Sequence, residues 1–304
     1  MKIKLILKET WQDKFDNFLI TEQDLSTTFQ HNSQIIQKLI DREGTAVPQK
    51  FDYFDSNLIK NIPILHKIKI KQYIGRGSLA IIFELENGMI LKISIDSGER
   101  SLVPVYKRIQ DMLHSGEATK EMPMIYDVGY INEEDFGEKF DQFGEPIEVP
   151  RFFYILMQRY NNFSPSKVPE KKNYKDAIEY DKAVQEYNRD LKDRSKLQDK
   201  LLFIYNMIES YFLKLMTNNT SEDGKYDITK ATTIDKAYKD IMNDLINTYR
   251  SRSKTLSYEE IKRYGSIVKT MVTSYIKKLP HHDVLADNFG TTYNDPDTFV
   301  QFDY

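Results

Sequence analysis

The sequence predicts an α+β fold: a five-stranded antiparallel sheet with one inserted helix, then a mostly helical second half. Three observations predict it. Between residues 66 and 95 three short β-prone runs follow one another, and Asn87-Gly88, a strong hairpin signal, separates the last two. Two more β-prone runs, PMIYDVGYI (123–131) and RFFYILMQRY (151–160), come after a helical pattern. From residue 165 onward the chain is highly charged, with Glu and Lys alternating at helical period.

The elements follow in order. Lys2–Leu7 reads as a strand. Phe29, Ile35, Ile36, Leu39 and Ile40 recur at helix spacing, and Gly44 supplies a stop. Residues 1–65 form an N-terminal extension with no evident chemistry. Ile68–Tyr73, Leu79–Leu85 and Met89–Ile95 make an antiparallel meander, with Gly75 and Gly77 near its first turn. Residues 99–114 read as a helix in which Pro104 is tolerated only in the first turn. The acidic, glycine-containing segment between the last two strands reads as a loop.

Beyond the sheet, residues 161–257 form a charged helical insertion. Its most apolar stretch, Leu201–Met216, should bury one face. A second helical stretch covers about 231–249. Residues 257–279 make one more amphipathic helix, with Ser257 as N-cap and Glu260 completing a capping box. Pro280 ends it. TFVQFDY (298–304) is a β-prone run carrying Asp303.

Composition narrows the class. A chain of 304 residues can bury a sizeable core. It has no cysteine, which excludes disulfides and thiolate metal sites, and a cytoplasmic location is the expectation. A formal net charge of -3 gives no basis for nucleic-acid binding. No apolar run approaches the roughly 18 residues that a membrane helix needs.

The motifs carry more. Gly75-Arg76-Gly77-Ser78-Leu79-Ala80 matches G-x-G-x-x-G except that Ala80 replaces the third glycine. A glycine turn between antiparallel strands lets backbone N–H groups approach phosphates without a Cβ in the way. Lys92 is a charge inside the apolar strand Ile90-Leu91-Lys92-Ile93, placed to reach such phosphates. In HHDVLADN (281–288), Asp283 and Asn288 stand five apart after a histidine. An Asp can orient a phosphoryl acceptor and take its proton, and an Asn five residues on can turn back to ligate Mg²⁺. Asp303 follows at a distance suited to a hairpin return. A metalloenzyme built on His281 and His282 is the weaker reading: adjacent loop histidines point apart, and no third ligand has metal-site spacing.

Glycine turn, strand lysine, H-x-D-x-x-x-x-N loop and trailing Asp, in this order, resemble the protein-kinase-like superfamily. The resemblance covers roughly 66–160 as N-lobe and hinge and 258–304 as a minimal C-lobe. It implies a two-lobe fold and a phosphotransferase using ATP and Mg²⁺, acting first of all on Ser/Thr hydroxyls of a protein substrate. By the same resemblance Gly75, Gly77, Ser78 and Ala80 form the glycine-rich loop, and Lys92 is the phosphate-holding lysine. Met157 is the gatekeeper, and Gln158, Arg159 and Tyr160 form the hinge that meets adenine. Asp283 is the catalytic base, and Asn288 and Asp303 are metal ligands. The acidic partner of Lys92 is left between Glu99 and Asp111.

The chain also departs from the family. His282 replaces the usual Arg, and after Asp303 only Tyr304 remains, with no DFG glycine, activation segment or A-P-E. Such a compact form resembles kinases encoded by tailed bacteriophages, whose substrates are host proteins in the host cytoplasm. Two alternatives stay open: a pseudokinase or scaffold binding a partner through the helical insertion, and a small-molecule kinase of the aminoglycoside or choline type.

Overall fold

A computed structural model describes residues 22–41, 51, 54, 56–76, 79–96, 101–131, 139–140, 146–147, 150–162, 169, 171–218, 228–279, 284–291 and 295–302. The expected strand Lys2–Leu7 and the stop at Gly44 lie outside them. The chain is α+β and divides into two compact units. One comprises 1–118 and 124–159; the other comprises 119–123 and 160–304.

In the first unit, α1 (Glu22–Ile40) places Ile36 and Leu39 in the core, as its apolar spacing predicts. A short α2 (Ser56–Ile59) and a 3₁₀ turn at Pro63–His66 lead into the sheet. Asn32 makes the junction. Its side-chain amide donates to the Leu65 and Ile68 carbonyls at 2.8 and 2.9 Å, and its oxygen accepts from the Ile70 N–H at 2.7 Å. A fully buried amide with three partners costs little and specifies one register. Residues from the 22–65 segment, among them Ile36, Phe51, Phe54, Ile59 and Leu65, share one core with the sheet.

The sheet begins with the meander β1 (Ile70–Arg76), β2 (Ala80–Leu85) and β3 (Ile90–Asp96). Gly88 has φ 81°, the left-handed conformation for which glycine is suited, and the Asn87 side chain accepts from the Met89 N–H at 3.1 Å. The inserted helix α3 (Val103–Ser115) carries Pro104 in its first turn and ends on Gly116 at φ 71°. Then come β4 (Ile125–Tyr130), a small hairpin of β5 (Lys139–Phe140) and β6 (Pro146–Ile147), and β7 (Arg151–Met157). That hairpin replaces part of the segment expected as plain loop. The five-stranded sheet has the order β1-β2-β3-β7-β4, every pairing antiparallel.

In the second unit, β8 (Asn161–Asn162) precedes one long helix, α4 (Ala177–Asn218). None of the side chains from Ala177 to Lys196 is buried. From Leu197 a stripe of Leu197, Leu201, Ile204, Ile208 and Phe212 enters the core. After a short α5 (Ile228–Ala231), α6 (Ile234–Ser251) and α7 (Tyr258–Ile276) complete the helical part. The capping box on α7 is present as the sequence predicts: Ser257 accepts from the Glu260 N–H, and the Glu260 carboxylate accepts from the Ser257 N–H. A 3₁₀ turn, Ala286–Asn288, leads to β9 (Phe289–Thr291) and β10 (Phe299–Gln301). These two strands and β8 form a second sheet in the order β10-β9-β8. The α4, α6 and α7 stripes and Phe289 and Phe299 share a single core. The stretch read as an insertion and the stretch read as a minimal C-lobe are therefore packed as one body.

Candidate functional site

Strand register decides where the glycine turn and the lysine go. Directly opposed residues of an antiparallel sheet share a face. One cross-strand row reads Gly75, Ile82, Lys92, Ile155, Val128. The row on one side of it contains Ala80, Ser94 and Phe153; the row on the other contains Glu84, Ile90, Met157 and Ile125. Gly75, Ala80, Lys92 and Met157 therefore lie on one face, opposite to Leu91, Ile93 and Ile95, which enter the core with α1.

Lys92 stands on β3, third in the sheet, between Ile82 and Ile155, and is half-buried. The usual explanation for a strand lysine, protection of a sheet edge, does not apply to a central strand. Gly75 is equally informative. It has no positive φ, and a Cβ added there would meet no atom within 4 Å. Neither backbone conformation nor packing requires glycine at this position.

The neighbouring row anchors the segment after β7. Glu84 is 3% exposed, and its carboxylate takes Arg159 Nη1 at 2.7 Å, Lys71 at 2.9 Å and Gln72 at 2.6 Å. The hydrogen bond from Lys71, helped by Gln72 and Arg159, holds the Glu84 carboxyl below the ordinary glutamate range. The Gln158 N–H donates to the Met124 carbonyl at 3.0 Å. Gln158 and Arg159 are thus both tied to the sheet, and the chain passes to the second unit between Arg159 and Tyr160.

The other half of the expected site is in that second unit. Asn288 is 8% exposed and closes the 3₁₀ turn through its N–H to Leu285. β10 returns beside β9, with Gln301 opposite Phe289. The next pairing continues the ladder: the Phe302 N–H donates to the Asn288 carbonyl at 3.0 Å. The expected hairpin return is therefore present up to Phe302, the residue before Asp303. Phe302 stacks on Tyr160 with ring centroids 5.6 Å apart. Gly290 makes this possible, because a Cβ there would lie 2.7 Å from the Asn161 carbonyl oxygen and 3.0 Å from the Phe302 ring.

Compared with known proteins, the chain matches no family model, no curated protein and no solved structure.

Side chains that the sequence reading did not single out hold the 284–288 loop. On α4, Gln198 donates to the Val284 carbonyl at 2.6 Å and accepts from the Ala286 N–H at 2.7 Å. One turn earlier, Arg194 grips Asp287 with Nε and Nη2, the former at 2.8 Å. On α7, Ser266 accepts from the Phe299 N–H and Thr270 donates to the Phe299 carbonyl, each at 2.7 Å. A signal existed for the first pair. Tyr187, Leu191, Leu197 and Leu201 trace one helical stripe, and Arg194 and Gln198 interrupt it with polar groups.

Of the remaining expected residues, Asp111 is exposed on α3. Gly77, Ser78, Glu99, Asp283 and Asp303 lie outside the described residues. Among the described residues no group of three His, Asp or Glu side chains is placed to hold a metal, and no helix is long and apolar enough to cross a membrane.

Proposed function

We propose that this chain is a protein-kinase-like phosphotransferase, moving the γ-phosphate of ATP to a hydroxyl of a protein substrate with Mg²⁺ as cofactor. One observation carries the reading: Gly75, Ala80, Lys92 and Met157 share one face of a sheet whose third strand bears the lysine. Nucleotide phosphates held under the β1–β2 turn would need a backbone free of Cβ atoms and a cation on the same face. A fold that does not itself require glycine at position 75 agrees with this.

The residues suit the cofactors. Mg²⁺ takes oxygen ligands, and Asn288 and Asp303 offer an amide and a carboxylate oxygen. Backbone pairing sets Phe302, the neighbour of Asp303, against Asn288. Bound Mg²⁺ supplies charge neutralisation on the phosphoryl group. Lys92 would bind phosphate oxygens, and Asp283 would orient the acceptor hydroxyl and take its proton. With the Gln158 N–H already given to Met124, an adenine contact at Gln158 would use its carbonyl. Catalysis of this kind rests on positioning and charge stabilisation.

The test is incubation with γ-labelled ATP, Mg²⁺ and bacterial lysate, beside a thermal melt with and without ATP. Wild type should label protein. Asp283→Ala should not, yet its melting temperature should still rise with ATP, because ligand binding to the folded state stabilises by mass action. Label on small molecules alone would point to the small-molecule kinase. A nucleotide-dependent melt without any transfer would point to the pseudokinase. No transfer and no shift at millimolar ATP would end the reading.

A further inference from the structure

We infer that Arg194 and Gln198 of α4 are positioning residues for the loop that bears Asn288, an inference that rests on the phosphotransferase reading above. The two side chains are one helical turn apart and face the same way. Between them they take the Val284 carbonyl, the Ala286 N–H and both carboxylate oxygens of Asp287. Every anchor falls in the four residues that precede Asn288. Gln198 holds the backbone on both sides of Leu285, as a neighbouring strand would, in a segment whose only regular structure is a 3₁₀ turn.

The arrangement is poorly explained as a simple staple. The Arg194 and Asp287 side chains are 33% and 37% exposed, and ion pairs with this much water around them contribute little to stability. A bidentate guanidinium–carboxylate pair instead fixes orientation, since two parallel hydrogen bonds leave the carboxylate no free rotation. Asp287 is thereby engaged and turned toward α4. Its neighbour Asn288 is tied through its N–H to the Leu285 carbonyl and through its carbonyl to the Phe302 N–H. The charged helix, which has no buried side chain over this half of its length, acquires a role in shaping the loop.

The experiment is steady-state phosphotransfer by the full chain, comparing wild type with Arg194→Ala, Gln198→Ala, Asp287→Arg and the double exchange Arg194→Asp/Asp287→Arg, with a thermal melt of each. Displacement of a catalytic group by about 1 Å costs about 100-fold in rate. The single variants should therefore lose on the order of 100-fold in kcat, with KM for ATP within about twofold and melting temperature close to wild type. The double exchange should recover at least about tenfold over Asp287→Arg. Hydrogen exchange at 284–288 should rise in the single variants and fall back in the exchange. Wild-type kcat in both alanine variants would overturn the inference while leaving the enzyme reading intact. So would a loss of kcat that follows the melting temperature and is not rescued by the exchange. An inactive wild type would instead remove the enzyme reading and this inference with it.

Discussion

In the sheet unit, Gly75, Ala80, Lys92 and Met157 share a face because strand pairing leaves them no alternative. In the helical unit, Val284–Asn288 is placed by side chains that reach it from another element. The first arrangement is made by backbone hydrogen bonds repeated along a ladder. The second is made by a few individual contacts, each removable by one substitution. The difference teaches where each half is vulnerable. A sheet face tolerates loss of one side chain without losing its register, whereas a loop held by two residues can be loosened by changing either.

The comparison can be broken most decisively at Lys92. If the shared face is a phosphate-binding face, Lys92→Ala should lower phosphotransfer kcat/KM by about 10²–10³-fold while the protein stays folded by circular dichroism. A variant as active as wild type would leave the aligned face without a function.

Next in size is Glu84, where one buried carboxylate serves three partners. Glu84→Ala should destabilise the protein by about 2 kcal/mol in urea unfolding, because a buried carboxylate that accepts from three side chains is lost. The pH dependence has a definite sign. The folded-state pKa of Glu84 is lowered, so its contribution is complete above the ordinary glutamate value of about 4.3 and is lost as pH falls through the folded value. The stability gap between wild type and Glu84→Gln should be open at neutral pH and should close on acidification.

Two glycines sharpen the contrast between the units. Gly290→Ala pushes a Cβ against the Asn161 carbonyl and should cost about 2 kcal/mol by the same measurement. Removing the α7 cap with Ser257→Ala should cost about 1 kcal/mol. Gly75→Ala, with open space around the added methyl, should change stability by less than about 0.5 kcal/mol. Its effect should appear in nucleotide affinity instead, read from the ATP dependence of the melt. An affinity equal to wild type would separate the glycine turn from phosphate binding.

Much of this fold was legible in residue order. The meander, its Asn87-Gly88 turn, Pro104 in the first turn of α3 and the Ser257–Glu260 box all follow from interactions within a few residues. The pairing of β10 with β9 was legible too, because a β-prone run soon after Asn288 has few places to pair. Less was visible where side chains act at long range. Arg194 and Gln198 appeared as members of a charged helix face, since spacing along one helix does not say what approaches it. The β5–β6 hairpin was missed because strands of two residues carry too little period-two pattern to register.

The sequence by itself determined which segments become strands and helices, where their turns fall, and which residue types stand at the phosphotransferase-like spacing. These are properties of φ/ψ preference and local periodicity, set within one or two turns of chain. Only the tertiary structure decided that β7 lies between β3 and β4, which puts Met157 on the Lys92 face. Only it decided that Gln198 would clamp a loop 86 residues away. The physical reason is the same in both cases. Such contacts form only when apolar stripes from distant segments bury one another, and no local pattern specifies which stripe meets which.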